Sequence, residues 1–142
     1  MIRRLSISDA TLVIDICGEY AGIIVSKLRN GNSYFFTNSK EDAIIIYDML
    51  TSDQAIAHIY SKREGRGRKI LPLIIESGFR MFERIGCNYI FNIVRERDRH
   101  IRLFVPYFGS KKIYVMDNGD TMYLTDYSVY EKHKLNYIPP EI

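Results

Sequence analysis

A run of glycine and basic residues is the part of the sequence whose composition points most directly to chemistry. It is Lys62-Arg63-Glu64-Gly65-Arg66-Gly67-Arg68-Lys69, between a predicted strand at 55–61 and a predicted helix that begins near Leu71. Glycines let a phosphate approach the backbone, arginines donate charge-assisted hydrogen bonds, and a helix N-terminus presents unpaired N–H groups. The pattern favours a pyrophosphate site. The alternative is a solvated basic turn that only caps the helix.

Other ligand-binding motifs are missing from the sequence. The loop has neither the Gly-Lys-Ser/Thr of a P-loop nor the Gly-x-Gly-x-x-Gly of a dinucleotide site. Cys17 and Cys87 are far apart, without a Cys-x-x-Cys spacing, and His58, His100 and His133 lie in unrelated segments. We therefore predict no disulfide framework and no metal site.

In the first half of the chain, one helix is predicted clearly. Residues 1–6 are a weak strand candidate, and 9–27 have helical spacing of apolar residues, with possible breaks at Gly18 and Gly22. Residues 39–50 are ambiguous, because they begin like a helix but contain the β-branched run Ile44-Ile45-Ile46.

The second half alternates strands and helices, which predicts a mixed α/β sheet. The predicted elements are a strand at 55–61, a helix from Leu71 to a cap at Gly86, a strand at 88–94, a helix at 97–108 and a hairpin of 112–117 with 120–127. Asn118-Gly119 predicts a two-residue turn for this hairpin, because both residue types accept the positive φ of a type I′ turn.

Composition indicates an ordinary globular domain. The chain has 142 residues, of which 46% are hydrophobic and 26% charged, and this length fits one domain. Its apolar runs are too short for a transmembrane helix, and no apolar stretch follows Arg3-Arg4 as in a signal peptide. We therefore expect a cytoplasmic protein without a membrane partner.

The loop and its surroundings resemble the GNAT superfamily of N-acetyltransferases. Residues 62–67 match the acetyl-CoA loop of that family, with Lys62 at the usual Arg/Gln position, and Ile70-Leu71 match the apolar pair after it. Ile2-Arg3-Arg4-Leu5 followed by Ser8-Asp9-Ala10 resembles the opening strand and helix. The resemblance implies a single-domain GNAT-like α/β fold over 1–135, with a mixed twisted sheet, helices on both faces and a C-terminal β-hairpin. Residues 136–142 would be a tail.

The resemblance also implies acetyl-CoA as the cofactor and acetyl transfer to a small-molecule or protein amine. The strand from His58 through Ile59 to Tyr60 would hold the pantetheine arm and polarise the thioester carbonyl through its backbone. The residues implied to hold the pyrophosphate are Lys62, Arg63, Gly65, Arg66, Gly67 and Arg68.

Two candidate catalytic side chains follow from this resemblance. Members of the family often have a tyrosine, the general acid, four residues before a helix-ending glycine, but Val105 occupies that position before Gly109. Tyr107, two residues later, is the candidate that remains. His58 is the candidate base for the amine; the alternative is a half-buried structural histidine.

Because the usual catalytic tyrosine is displaced, a second function stays open. Arg99-His100-Ile101-Arg102-Leu103 resembles a subgroup of GNAT-like proteins from the virion and assembly genes of short-tailed phages. A chain of that kind would be a catalytically silent virion protein, with other virion proteins as partners and the host cytoplasm or the virion as its location.

A possible basic face, which could extend the phosphate site, be a solvated surface or bind nucleic acid, combines residues 62–69 with Arg95, Arg97, Arg99 and Arg102. Nucleic acid is the least favoured partner, because the net charge is only +3 and no stacking aromatic residues alternate with these arginines.

Overall fold

The computed structural model describes residues 2–62, 70–96 and 110–134. These residues form one seven-stranded sheet. Its strands are β1 Arg3–Arg4, β2 Ser33–Thr37, β3 Ala43–Met49, β4 Gln54–Ser61, β5 Tyr89–Val94, β6 Lys111–Val115 and β7 Thr121–Asp126. The α-helices of the described residues are α1 Ala10–Cys17, α2 Ala21–Asn30, α3 Leu71–Phe79 and α4 Tyr127–Lys134.

The strands lie in the order β1-β2-β3-β4-β5-β7-β6. Every neighbouring pair is antiparallel except β4 and β5, which are parallel. Parallel neighbours need a long crossover connection, and the segment that contains α3 supplies it. In the strand order, the parallel pair of β4 and β5 lies at the centre of the sheet.

Helices pack on both faces of this sheet. On one face, α1 and α2 bury Val13, Ile16 and Ile24 against β2 and β3. On the other face, α3 buries Leu73 against β3, β4 and β5. The predicted fold class is confirmed: a mixed sheet with helices on both faces and a hairpin towards the C-terminus. Residues 43–47 are all buried, because β3 is covered on both faces, and this explains the isoleucine run that made the segment ambiguous.

The predicted helix at 9–27 is two helices. Gly18 adopts φ +56° and begins a short 3₁₀ turn that separates α1 from α2. The helix breaks at the first of the two predicted glycines, whereas Gly22 lies inside α2. The second helix also continues three residues beyond the predicted end, to Asn30, and Gly31 closes it in the left-handed conformation.

The long helix of the second half is confirmed in its position. It starts as α3 with Pro72 in its first turn, continues as a π-helical turn over Arg80–Ile85 and ends at Gly86, at φ +93°. The backbone N–H groups of Gly86 and Cys87 both donate to the carbonyl of Met81.

The hairpin is confirmed, but the prediction of a two-residue turn is wrong. Asn118 does not adopt a positive φ, whereas Gly119 does, at +89°. Gly119 donates its N–H to the Met116 carbonyl at 2.9 Å, and Met116 donates to the Asp120 carbonyl at 2.7 Å. The loop thus has three residues, a type I turn closed by a left-handed glycine.

The described part of the C-terminal region ends in a helix. Helix α4 begins at Tyr127, where the sequence predicted the end of a strand. The predicted helix at 97–108 and the predicted tail at 136–142 lie outside the described residues.

In the described part of the chain, no helix has the length and hydropathy to span a membrane.

Candidate active site

A cleft opens in the sheet where β4 and β5 stop pairing. Their ladder runs from Gln54↔Tyr89 to Ala57↔Asn92, but β4 continues to Ser61 and β5 to Val94. Alternate residues of a strand direct their N–H and C=O groups to opposite neighbours. The last residues of β4 therefore direct backbone hydrogen-bonding groups towards a neighbour that has moved away. His58, Ile59 and Tyr60 all line the cleft.

His58 lies on the α1–α2 side of the sheet. The β3–β4 register pairs Ile46 with His58 and Asp48 with Ile56, so His58 and Asp48 are diagonal neighbours on one face. The imidazole Nε2 lies 3.3 Å from the Asp48 carboxylate, and the His58 side chain is 34% exposed. A carboxylate only accepts hydrogen bonds, so it favours the tautomer with the proton on Nε2 and leaves Nδ1 able to accept a proton.

Asp48 is itself held in place by two donors. Lys27 Nζ lies 2.7 Å from Oδ2, and the Ser33 hydroxyl donates to Oδ1 at 2.5 Å. Burial alone would raise the pKa of Asp48, but the hydrogen bonds from Lys27 and Ser33 outweigh it and the pKa lies below its ordinary value. Asp48 is therefore a carboxylate at neutral pH, and it joins α2, β2 and β4 through three side chains.

The pKa of His58 lies below its ordinary value of 6.5. Burial is the largest cause, and the positive charges of Lys27 and Arg95 act in the same direction, whereas Asp48 opposes them. The imidazole is consequently neutral at pH 7, which is the form that a general base needs.

Aromatic rings line the same side of the cleft. The Tyr20 and Tyr60 rings have centroids 6.0 Å apart. The Arg95 guanidinium, directly after β5, lies 5.5 Å from the centroid of the Tyr20 ring. Burial raises the pKa of Tyr60, so that its phenol stays protonated. This side of the cleft therefore presents a base, two tyrosines and an arginine.

The α3 side of the cleft is apolar. A cavity there is lined mainly by aliphatic and aromatic side chains, among them Ile59, Ile70, Ile74 and Tyr130. Ile59 and Asn92 line both this cavity and the cleft, so the two spaces meet at the end of the β4–β5 ladder. The arrangement suits a slender ligand that passes between the strands.

Of the predicted phosphate ligands, only Lys62 is described. Its backbone N–H donates to the Asp42 carbonyl at 2.8 Å, and its ammonium pairs with Asp15 of α1. The other predicted site residues, Arg63, Gly65, Arg66, Gly67, Arg68 and Tyr107, lie outside the described residues. In the same described ranges, no group of three or more His, Cys, Asp and Glu side chains could hold a metal ion.

Sequence reasoning missed Asp48, Lys27 and Tyr20 as parts of the site. One signal was available, because Asp48 is the charged residue in the otherwise uncharged strand Ala43–Met49. The positions of Lys27 and Tyr20 depend on how α2 and the turn before it pack on the sheet, which no local pattern indicates.

Solved structures with the same architecture are N-acetyltransferases. A nucleotide-linked sugar GNAT, FdhC, superposes with a TM-score of 0.76 over 96% of this chain and 91% of that one, at 13% identity. The N-acetyltransferase PseH of Campylobacter jejuni, in complex with acetyl coenzyme A, gives 0.70 over 89% and 99%, at 12% identity. The fold is that of the GNAT N-acetyltransferases.

A variant of the spermidine N-acetyltransferase SpeG from Vibrio cholerae also shares the GNAT fold. Its TM-score is 0.72 over 92% of this chain and 96% of that one, at 10% identity. By sequence, the chain matches no family model and no curated protein. At these identities the likeness establishes the fold, and the chemistry has to be argued from the cleft.

Proposed function

We propose that the protein is an acetyl-CoA-dependent N-acetyltransferase that acts on an amine. The observation that carries the proposal is the separation of β4 from β5, which opens a cleft with His58 on one side and an apolar cavity on the other. The GNAT fold supports the proposal, and so does the complex of PseH with acetyl coenzyme A.

The residues of the cleft fit the pantetheine arm of the cofactor. That arm is slender and carries amide groups, which need backbone partners such as those along the open edge of β4. The cavity against Ile70 and Ile74 accommodates its apolar parts. When bound, acetyl-CoA supplies an activated acetyl thioester.

His58 is the proposed base. It takes a proton from the acceptor amine at Nδ1, while Asp48 holds the imidazole in the required tautomer. Backbone amides at Ile59 and Tyr60 hold the carbonyl oxygen and stabilise the negative charge that develops there. Holding both reactants side by side contributes much of the rate, since a bimolecular step becomes effectively intramolecular.

Two further roles rest on the sequence. Gly65 and Gly67 bind the pyrophosphate through their backbone amides, and Arg63, Arg66 and Arg68 add positive charge. Lys62, the other predicted ligand, would have to leave its ion pair with Asp15 to contribute. Tyr107 protonates the departing thiolate. Because Val105 stands at the usual position of this tyrosine, we expect slow turnover.

The experiment measures release of CoA thiol from acetyl-CoA in the presence of a panel of amines. Wild-type protein should release thiol in an amine-dependent reaction, and His58→Gln should lower kcat by about 10²-fold, the contribution of a positioned base. The Lys112→Gln variant, at an exposed position of β6, should keep the wild-type rate. If His58→Gln keeps it as well, His58 is structural.

A silent virion protein is the second candidate, favoured by the displaced tyrosine. In that case no amine would cause thiol release, whereas loss of the protein would impair assembly of the particle.

A further inference from the structure

We propose that the outer face of α2 binds a second copy of this chain, with the two α2 helices packed antiparallel about a two-fold axis. The inference does not depend on the proposed transferase function, because the residues that carry it are outside the described lining of the cleft and of the apolar cavity. It starts from the side of α2 that does not pack on the sheet.

The outer face of α2 presents a large apolar side chain to solvent. Ala21 and Ile24 are buried in the core that α2 forms with the sheet, whereas the Ile23 side chain is 69% exposed. Other exposed residues lie three or four positions apart on the same face and in the 3₁₀ turn before it, namely Glu19, Gly22, Ser26, Arg29 and Asn30. Contact with a partner at this face would remove the Ile23 side chain from water, which is favourable.

The same face offers a hole for an isoleucine of a partner helix. In knobs-into-holes packing, a side chain of one helix inserts between four residues of the facing helix, at positions i, i+3, i+4 and i+7. Around the outer face of α2 these four positions are Gly22, Val25, Ser26 and Arg29. Gly22 and Ser26 are small, and a Cβ at Gly22 would have no atom within 4 Å. Each copy therefore carries both a knob, Ile23, and a hole.

The charges on this face are complementary in an antiparallel pair. Glu19 lies five positions before Ile24 and Arg29 five positions after it. A two-fold axis beside Ile24 thus brings each Glu19 to Arg29 of the other copy. Within the described ranges, neither Glu19 nor Arg29 forms an ion pair. A parallel pair would instead bring like charges together, so the charges select the antiparallel arrangement.

The contact is closed and small. The same axis places Gly22 opposite Ser26 of the other copy, so the helices can approach closely at their centre, and an isologous contact of this kind ends at two copies. Specific interfaces bury about 1,200–2,000 Å² in total, more than one pair of ten-residue helices supplies. Ile7 and Ile14, on segments that pack beside α2, are also exposed and can add to the contact. We therefore expect a weak dimer, with a micromolar dissociation constant.

Sedimentation equilibrium of the wild-type protein measures this association, at the concentrations of about 1–500 µM that suit a weak interface. The mass should rise from 16.6 kDa towards twice that value. Ile23→Glu places a carboxylate in each hole and should weaken the dimer by about tenfold or more. Ile113→Glu, at an exposed isoleucine of β6, is the matched control and should keep the wild-type association. A protein that stays monomeric, or a dimer that Ile23→Glu leaves intact, would overturn the inference.

Charge reversal tests the antiparallel arrangement. Glu19→Arg gives a face with an arginine at both ends, and Arg29→Glu gives a face with an acid at both ends. Each variant alone should dimerise about tenfold more weakly than wild type, because both ion pairs of the dimer become repulsive. The two variants mixed should associate more strongly than either alone, since each arginine then meets an acid. A mixture that associates no better than its components would overturn the antiparallel pairing.

A folding control separates loss of the contact from loss of the fold. The substituted side chains are exposed, so the variants should keep the denaturant midpoint of wild type in dilute, monomeric protein. If Ile23→Glu lowers the midpoint, Ser26→Arg replaces it, because a long side chain there fills the hole from an exposed helical position. Ser26→Arg that leaves the dimer intact would overturn the inference in the same way. These measurements need no cofactor or acceptor, so their outcome is independent of the transferase proposal.

Discussion

His58 Nε2 lies 3.3 Å from Asp48 Oδ2, across two strands that pair side by side in the sheet. The carboxylate is anchored to α2 by Lys27 and to β2 by Ser33. In the proposed reaction, Asp48 is a positioning residue: it orients the imidazole and raises its pKa, whereas burial and the charges of Lys27 and Arg95 lower it.

This relationship predicts the effect of Asp48→Asn on pH dependence. A base with a lowered pKa gives a kcat/KM profile whose acid limb lies below pH 6.5. Removing the carboxylate removes the contribution that raises the pKa of His58, so the acid limb should move to lower pH while the plateau rate falls. The pH profile of thiol release measures both.

The control for this experiment is Asp117→Asn, in the exposed β6–β7 turn, which should leave the profile unchanged. An acid limb that stays in place or moves to higher pH in Asp48→Asn would mean that His58 does not titrate as the base.

The same lowered pKa predicts a stability effect. The folded protein binds the His58 proton less readily than the unfolded chain, whose imidazole has the ordinary value of 6.5. Protonation of His58 therefore costs the folded state stability. This cost is absent at pH values well above 6.5 and grows as the pH falls below 6.5. His58→Gln should therefore lose less stability than wild type when denaturant midpoints are compared between pH 7.5 and 5. If wild type and His58→Gln lose the same stability between pH 7.5 and 5, the imidazole is not buried as described.

Tyr107→Phe tests the proposed acid. If Tyr107 protonates the thiolate, the substitution should lower kcat by about 10²-fold, the lower range for a lost general acid, without weakening acetyl-CoA binding. Tyr114→Phe removes an exposed hydroxyl from β6 and serves as the control. Unchanged, rapid turnover in Tyr107→Phe would contradict both the role of Tyr107 and the expectation of slow chemistry.

Two glycines predict opposite effects on stability. Gly119→Ala should lower the free energy of unfolding by about 1–3 kcal/mol, because Gly119 has φ +89°, a backbone conformation that alanine adopts only with strain, whereas the nearby exposed Glu96 side chain can move aside. Gly22→Ala should raise it by about 0.5–1 kcal/mol, since Gly22 lies inside α2 with open space around it. Chemical denaturation measures both. A neutral Gly119→Ala would contradict the three-residue loop.

The fold was predictable where local pattern and final structure agree. Helical spacing with a glycine cap gave the position of the long helix, and strand-like runs around Asn118-Gly119 gave the hairpin. The type of turn was not predictable, because Asn-Gly suits two-residue and three-residue loops and the strands decide between them.

Helix α4 was not predicted from the sequence, because tertiary contacts stabilise it. Its turn is stabilised by Tyr127 and Tyr130, whose rings pack 5.8 and 4.8 Å from the ring of Phe82, and the Tyr130 hydroxyl donates to the Ile75 carbonyl. Nothing in the sequence of 127–134 indicates that Phe82 lies opposite.

The candidate site was half predictable. His58 follows from the strand that precedes the glycine loop, whereas its contact with Asp48 depends on the β3–β4 register, and 39–50 could not be assigned as a strand from sequence. Arg95 was noticed only as part of a basic face, because its stacking on Tyr20 depends on the turn between α1 and α2.

The central claim is that acetyl-CoA binds where β4 and β5 separate and the glycine loop begins α3. Calorimetric titration of the wild-type protein with acetyl-CoA tests it directly. We expect micromolar binding that Gly67→Glu abolishes, since a carboxylate there opposes a pyrophosphate at the backbone amides, and that Arg66→Glu weakens less, since those amides remain. Folded wild-type protein that gives no binding heat, or Gly67→Glu with unchanged affinity, would contradict the account.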